Sequence, residues 1–151
     1  MNGRVEALWI KRAHRSVMDP AEEVTLIEGQ GIDTDANFGR SKRQVSVIEK
    51  EVLDRIIAEL PEVEPHMRRA NVMVSGIRLE NTRDHILTLG ETKIRLCGET
   101  RPCERMDAQV PGFTAALDPD WNGGAFGVVL TDGQIRVGDE ASIEGPATAS
   151  D

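Results

Sequence analysis

The chain has 151 residues, with 26 Asp and Glu against 18 Lys and Arg and a formal net charge of −8. This length suits one domain whose core needs no metal or disulfide to hold it. The acidic balance argues against an extended nucleic-acid-binding face, which needs many cations against the phosphates. Two cysteines and the lack of a long apolar run predict free thiols, a cytoplasmic location and no membrane contact.

Short strands and one helix are predicted in the first half of the chain. β-branched and aromatic residues predict strands over 3–10 and 24–27. Glycine and Asx residues indicate a loop over 31–44. Ser46 and Glu49 match a capping box, and apolar residues then recur at the helical period up to Leu60. This pattern predicts a helix over about 47–60 that ends at Pro61.

The second half is predicted to be mostly strands. Alternation favours strands over 71–75, 85–89 and 92–98, the last with Cys97 on the face opposite its apolar residues. A short helical turn is expected within 107–116. Asp132 and Gly133 indicate a hairpin between strands over 125–130 and 134–137, and a further strand covers 141–143. Residues 1–144 form the expected domain, and 145–151 a flexible tail. The fold class is mainly β: a barrel-like closed sheet with one packed helix.

Few motifs in the chain carry chemistry. The histidines and cysteines lack the spacing of structural zinc sites, and neither a phosphate-binding glycine loop nor a nucleophile elbow is present. Cys103 lies between Arg101 and Arg105, and nearby positive charge lowers the pKa of a thiol and so favours its reactive thiolate. A free cysteine is more often an inert buried side chain, so both interpretations stay open at this point.

Positive charge is clustered in this acidic chain. Seven of its 18 basic residues fall in three short segments: Arg40, Lys42 and Arg43; Arg68 and Arg69; Arg101 and Arg105. Clusters beside glycine and proline turns could hold a small anion. The commoner alternative for any one cluster is a solvated loop.

Several segments, in this order along the chain, resemble those of one protein family. They are Gly31-Ile32-Asp33-Thr34-Asp35-Ala36-Asn37, Arg43-Gln44-Val45, residues 68–76, Gly90 with residues 96–106, and residues 124–139. The family is the MOSC domain family, named for the carboxy-terminal domain of molybdenum cofactor sulfurases, and the chain is similar to its short free-standing bacterial form. Thr34 stands where the first loop usually has glycine, so a positive φ would be strained there. Ala70 interrupts the arginine–asparagine element.

The resemblance implies a β-barrel-like fold and either binding of molybdenum cofactor (molybdopterin) or sulfur carriage. Cys103 would then be the molybdenum ligand or would carry sulfur as a persulfide, because a thiolate suits both roles. The cofactor contacts implied by the resemblance are Arg68, Arg69, Asn71, Asp35, Arg43 and Gln44. The charge argument adds Arg101 and Arg105, since guanidinium groups bind phosphate bidentately.

Three functions follow from the resemblance. The first is a molybdenum-dependent protein in which Cys103 ligates the metal and supports reduction of a small molecule, with electrons from a partner protein. The second is a sulfur carrier or cofactor-handling module that works with a pyridoxal-phosphate-dependent desulfurase. The third is a non-catalytic binding domain.

Overall fold

The structure is a computed structural model that describes residues 3–102 and 105–146. Within them the strands are β1 (Gly3–Lys11), β2 (Met18–Ala21), β3 (Glu23–Ile27), β4 (Gly31–Ile32), β5 (Val45–Glu49), β6 (Val72–Ser75), β7 (His85–Leu89), β8 (Thr92–Glu99), β9 (Ala125–Val129), β10 (Gly133–Arg136) and β11 (Glu140–Pro146). The α-helices are α1 (Lys50–Glu59), α2 (Arg105–Gln109) and α3 (Phe113–Leu117), with 3-10 turns at Pro65–Arg68 and Pro119–Trp121.

Seven strands close into a barrel in the order β1, β11, β7, β8, β9, β5, β6 and back to β1. All neighbouring pairs run antiparallel except β5 and β6, which are parallel and are joined in sequence through α1. β2 pairs with the end of β1 that leads to Lys11. β10, β3 and β4 form a separate three-stranded sheet. The prediction of a mainly β, barrel-like fold with one packed helix is confirmed.

The barrel is filled by the apolar side chains that alternate along its strands. In β8, Ile94 and Leu96 are fully buried, whereas Cys97 on the opposite face is half-buried, as the alternation predicted. A second cluster packs α1 against α2 and α3 through Val52, Ile56, Phe113 and Leu117. The helices therefore have a small core of their own beside the barrel.

The predicted helix is present, but its start is different. Residues 47–49 belong to β5, and the helix begins at Lys50. Ser46 pairs with Phe126 of β9, and Glu49 precedes the helix without making a side-chain cap, so the predicted capping box is wrong. Pairing of β5 with two neighbouring strands outweighs the local capping pattern.

The predicted hairpin around Asp132 and Gly133 is also wrong. β9 pairs with β8 and β5, and β10 pairs with β3 in the other sheet. The Asp132 carboxylate accepts a hydrogen bond of 2.7 Å from the Glu28 backbone N–H, which ties this turn to the end of β3. The expected single turn within 107–116 is two short helices, α2 and α3. Of the predicted tail, 145–146 belong to β11 and 147–151 lie outside the described residues.

None of the helices in the described ranges is long and apolar enough to cross a membrane.

A buried carboxylate joins the end of β5 to the loop after β6. Glu49 is 3% exposed, its Oε2 accepts a hydrogen bond of 3.0 Å from the Leu79 N–H, and its Oε1 lies 3.6 Å from Nε of the exposed Arg78. Burial raises the pKa of Glu49 from 4.5, against the smaller opposing effects of the Leu79 hydrogen bond and the Arg78 charge.

Replacing Glu49 by Gln is expected to change how stability depends on pH. Because the folded-state pKa is raised, the native protein binds more protons than the unfolded chain above pH 4.5, and this group's contribution to stability falls as pH rises through the folded pKa. Glu49→Gln keeps an acceptor for Leu79 and has no proton to lose. In urea unfolding, the free energy of unfolding of the variant should therefore rise relative to that of the native sequence between pH 5 and 7. Glu62→Gln, at an exposed position, controls for the loss of one charge, and an equal gain in both variants would contradict this explanation.

Candidate functional site

The loop after β4 is anchored to the end of β1 by one buried carboxylate. Asp35 is 5% exposed, and its Oδ1 accepts hydrogen bonds of 2.7 Å from the Lys11 N–H and 3.0 Å from Asn71 Nδ2. Its Oδ2 accepts a third bond, of 2.9 Å, from the Asn37 N–H. Three donors hold the negative charge in place. Asp35 therefore fixes where Lys11 and Asn37 stand.

Asn71 connects this loop to two strands. Its Nδ2 donates to Asp35 and, over 3.2 Å, to the Trp9 carbonyl of β1, and its Oδ1 accepts a bond of 3.1 Å from the Ser46 N–H of β5. Asn71 is 3% exposed, so these bonds have no solvent substitute. Ala70, which interrupts the sequence element, is buried among apolar side chains and leaves this network intact.

Thr34 adopts the left-handed backbone that its position in the loop demands, with φ of 72°. A β-branched residue is strained in this region. Its hydroxyl accepts a hydrogen bond of 2.8 Å from Arg12 Nη1. The departure from glycine is thus accommodated, and Asp35 keeps its three donors.

Two further predicted residues hold the surrounding walls. Gln44 is 2% exposed: its Nε2 donates to the carbonyls of Gly29 and Arg40, and its Oε1 accepts from the Val129 N–H. Arg68 is 7% exposed and donates from Nε to the Gly123 carbonyl over 3.0 Å and from Nη2 to the Thr100 carbonyl over 2.9 Å. Arg68 therefore positions the chain that leads from β8 towards Cys103.

These elements surround a small cavity of about 120 Å³, here called the inner cavity. It is lined by Lys11, Asn37, Arg43, Val45, Ser46, Arg69, Thr100 and Phe126. Three of these side chains are cations. The Arg43 guanidinium carbon lies 4.7 Å from the centroid of the Phe126 ring, a cation–π distance that orients the guanidinium.

Two observations indicate that the inner cavity suits an anion. Burial lowers the pKa of Lys11, and Arg69 and Arg40 lower it further against the opposing effect of Asp35. An anion beside Lys11 would offset that repulsion. Thr100 Oγ1 is buried and has no hydrogen-bond partner in the part of the chain that the structure describes. A buried hydroxyl without a partner costs about 1–3 kcal/mol, and a bound oxyanion would relieve that cost.

Arg69 is the most exceptional residue of the inner cavity. Its φ is 63°, in the left-handed region that costs a non-glycine residue about 1–2 kcal/mol. This conformation ends the Pro65–Arg68 turn, and the Arg69 N–H donates a hydrogen bond of 3.0 Å to the His66 carbonyl. Its guanidinium makes no hydrogen bond or ion pair with a described residue. Arg69 also borders two neighbouring cavities. A cation at the meeting point of three cavities is a candidate for binding an anion.

The residues predicted for the site lie in several different places. Arg43 and Arg69 line the inner cavity together, and Asp35, Gln44, Arg68 and Asn71 form its supporting network. Arg105 borders a neighbouring cavity that it shares with Arg69, whereas Arg101 is exposed and pairs with Asp118 over 3.4 Å. Cys103, the predicted metal ligand or sulfur carrier, lies outside the described residues.

Six residues that line the inner cavity were not predicted as site residues: Lys11, Asn37, Val45, Ser46, Thr100 and Phe126. Lys11, at the end of β1, lies just beyond the strand predicted over 3–10, and Ser46 belongs to the predicted capping box. Thr100, which follows β8, and Phe126 of β9 carried no signal, because they are far apart in sequence and meet only in the folded barrel. In the described ranges, no three His, Cys, Asp or Glu side chains are grouped as a metal site would require.

The fold and the inner cavity define a β-barrel domain with a cation-lined cavity. The MOSC domain family model matches residues 33–142, so the chain belongs to the MOSC domain family. This family is associated with molybdenum cofactor binding or sulfur handling. The search of curated proteins finds no match to the chain.

Solved structures share the fold. The YuaD protein from Bacillus subtilis superposes with a TM-score of 0.80 at 21% identity, covering 95% of this chain and 96% of that one. YiiM from Escherichia coli gives 0.71 at 18% identity, covering 100% and 72%. YiiM from Geobacillus stearothermophilus gives 0.75 at 12% identity, covering 97% and 77%. Identities this low establish the common fold alone.

Asn71→Leu is expected to lower the free energy of unfolding by about 2–4 kcal/mol, because it leaves the Ser46 N–H without its acceptor and removes one of the three donors of the buried Asp35 carboxylate, at about 1–3 kcal/mol each. Urea unfolding measures the change. Asn122→Leu is the matched control, because Asn122 makes a single side-chain bond to the Ala116 carbonyl at a less buried position. Equal losses in the two variants would show that the Asn71 network adds no stability of its own.

Arg69→Gly is expected to leave the free energy of unfolding within about 1 kcal/mol, since relief of left-handed strain offsets the entropy that glycine adds to the unfolded chain. Arg68→Gly, at the adjacent position, should cost about 2 kcal/mol or more through its lost buried bonds. Urea unfolding of both variants tests the contrast. If Arg69→Gly were as damaging as Arg68→Gly, Arg69 would be a structural residue.

Proposed function

We propose that the chain binds molybdenum cofactor through the inner cavity, with Cys103 as the molybdenum ligand, and supports reduction of a small molecule in the cytoplasm. The observation that carries this proposal is the convergence of Lys11, Arg43 and Arg69 on one cavity beside the unpartnered hydroxyl of Thr100. Family membership supplies the cofactor class. The site supplies the reason why an anionic cofactor would be retained.

The donor set fits the phosphate of such a cofactor. Arg43 and Arg69 offer bidentate guanidinium donors, and Lys11 adds a third charge. Thr100 Oγ1 can donate to a phosphate oxygen without giving up an existing bond. The inner cavity, at about 120 Å³, holds the anionic end of the ligand.

Each part of the chain has a separate task in this proposal. Asp35 and Asn71 hold the loop and strand ends in place, so that the cations are oriented before the ligand arrives. Arg68 fixes Thr100, three residues before Cys103. When bound, the cofactor supplies a molybdenum centre that exchanges electrons with the substrate. A partner protein supplies those electrons.

Molybdenum and pterin analysis tests this proposal. Protein purified from a host that makes the cofactor should contain about one molybdenum and one oxidisable pterin per chain. Arg43→Ala should weaken pterin retention about 10- to 100-fold, the effect of losing one charge-assisted contact of about 1.5–3 kcal/mol. Cys103→Ser should lose molybdenum more than pterin. Arg136→Ala, an exposed arginine paired with Glu23 in the three-stranded sheet, is the control and should retain both.

The alternative of sulfur carriage predicts a different result with the same protein. A persulfide on Cys103 adds one sulfur atom to the native mass, and Cys103→Ser removes that addition. Added sulfur that appears only with a desulfurase, in protein free of molybdenum and pterin, would overturn the cofactor proposal and favour sulfur transfer. Absence of metal, pterin and added sulfur would favour a non-catalytic binding domain.

A further inference from the structure

A second cavity next to the inner cavity is also lined by cations. This outer cavity, of about 330 Å³, is bordered by Arg15, Arg69, Arg105, Met106 and Gln109. In a chain of net charge −8, three arginines around one cavity are a local excess of positive charge. None of the three makes a side-chain hydrogen bond or ion pair with any residue in the described ranges. Their charges are available to a ligand.

Two of these arginines occupy backbone positions that would suit glycine better. Arg15 has a φ of 68° and Arg69 a φ of 63°. Each conformation costs a non-glycine residue about 1–2 kcal/mol. Both conformations belong to local turns: Arg69 is the left-handed cap that ends the Pro65–Arg68 turn, and Arg15 lies in a turn closed by the bond from the Ser16 N–H to the Ala13 carbonyl. These turns fix where the two arginines leave the backbone.

The outer cavity shares two lining residues, Arg69 and Gln109, with a neighbouring groove, here called the apolar groove. This groove, of about 380 Å³, is further lined by Trp9, Val17, Met18, Pro20 and His66. Val17 is 82% exposed, the largest exposure of any large apolar side chain in the described ranges. Binding of an apolar group here would remove that surface from water.

We propose that the outer cavity and the apolar groove together bind an amphipathic organic anion, with its carboxylate or phosphate group on Arg15, Arg69 and Arg105 and its apolar body against Trp9 and Met18. This ligand is the substrate class of the site, an assignment that rests on the proposed function. The inner cavity already provides cations for the cofactor phosphate. Arg105, which borders the outer cavity, follows Cys103 by two residues in the sequence.

Fluorine NMR titration of the cofactor-free protein tests the site with two probes of similar shape. The probes are para-trifluoromethylbenzoate and the uncharged para-trifluoromethylbenzyl alcohol. The benzoate should bind at least about tenfold more tightly than the alcohol, the effect expected of one charge-assisted contact. Equal affinity for the two probes would overturn the proposal.

Variants locate the binding site of the probe. Arg15→Gln should weaken benzoate binding about five- to tenfold, and the double variant with Arg105→Gln about 50-fold. Val17→Asp should weaken it about fivefold by placing a carboxylate at the groove. These positions are exposed, so thermal unfolding should change little. Arg4→Gln, on an exposed arginine at the other end of β1, should leave affinity within about twofold. Equal effects of Arg4→Gln and Arg15→Gln would overturn the assignment.

A second titration distinguishes a substrate anion from a further anionic group of the cofactor. Protein with full molybdenum and pterin content should still bind the benzoate, with affinity within about threefold of the cofactor-free protein. Loss of benzoate binding on loading would assign the outer cavity to the cofactor and overturn the substrate class. A protein that binds the benzoate but never acquires molybdenum or pterin would contradict the proposed function while leaving the anion site in place.

Discussion

The hydrogen bond between Asp35 and Asn71 is the contact on which this end of the barrel depends. It joins a loop to β6, while the other bonds of Asn71 reach β1 and β5. Both side chains are nearly fully buried, so neither could replace a lost partner with water. The wall of the inner cavity is consequently one hydrogen-bonded unit. These hydrogen bonds hold the backbone that carries the cationic side chains in place before a ligand binds.

The charged residues of the site differ in whether the protein itself satisfies them. Arg68 and Asp35 are buried and each contacts at least two protein groups, so their charges stabilise the fold. Lys11 and Arg69 border the cavities, and burial and neighbouring cations disfavour the charged form of Lys11. An anion would reverse that effect by favouring protonated Lys11. The site thus uses satisfied charges for support and leaves unsatisfied charges for binding.

Patterns among neighbouring residues correctly predicted those features of the fold that neighbouring residues determine. The alternation in β8 gave the correct inward face, because burial on one side imposes a period of two. The predicted start of the helix and the predicted hairpin at Asp132 were wrong, because in both places pairing with distant strands outweighs a local motif. Arg43 and Arg69 could be predicted from charge clustering and family resemblance. Thr100 and Phe126 could not, since only barrel closure brings them to the cavity.

The position of Arg69 connects the inner and outer cavities. A guanidinium has five N–H donors in a fixed plane, enough for contacts on two sides. Anions in the two cavities would therefore meet the same side chain, and each would change the affinity for the other by the same factor. If the first anion orients Arg69 for the second, the side chain loses its conformational entropy only once, and binding of the two anions is cooperative. If the two compete for the same donors, binding is mutually antagonistic. The Arg69 side chain has several rotatable bonds that let its guanidinium adjust between the two anions, so the coupling between the two sites is expected to be small.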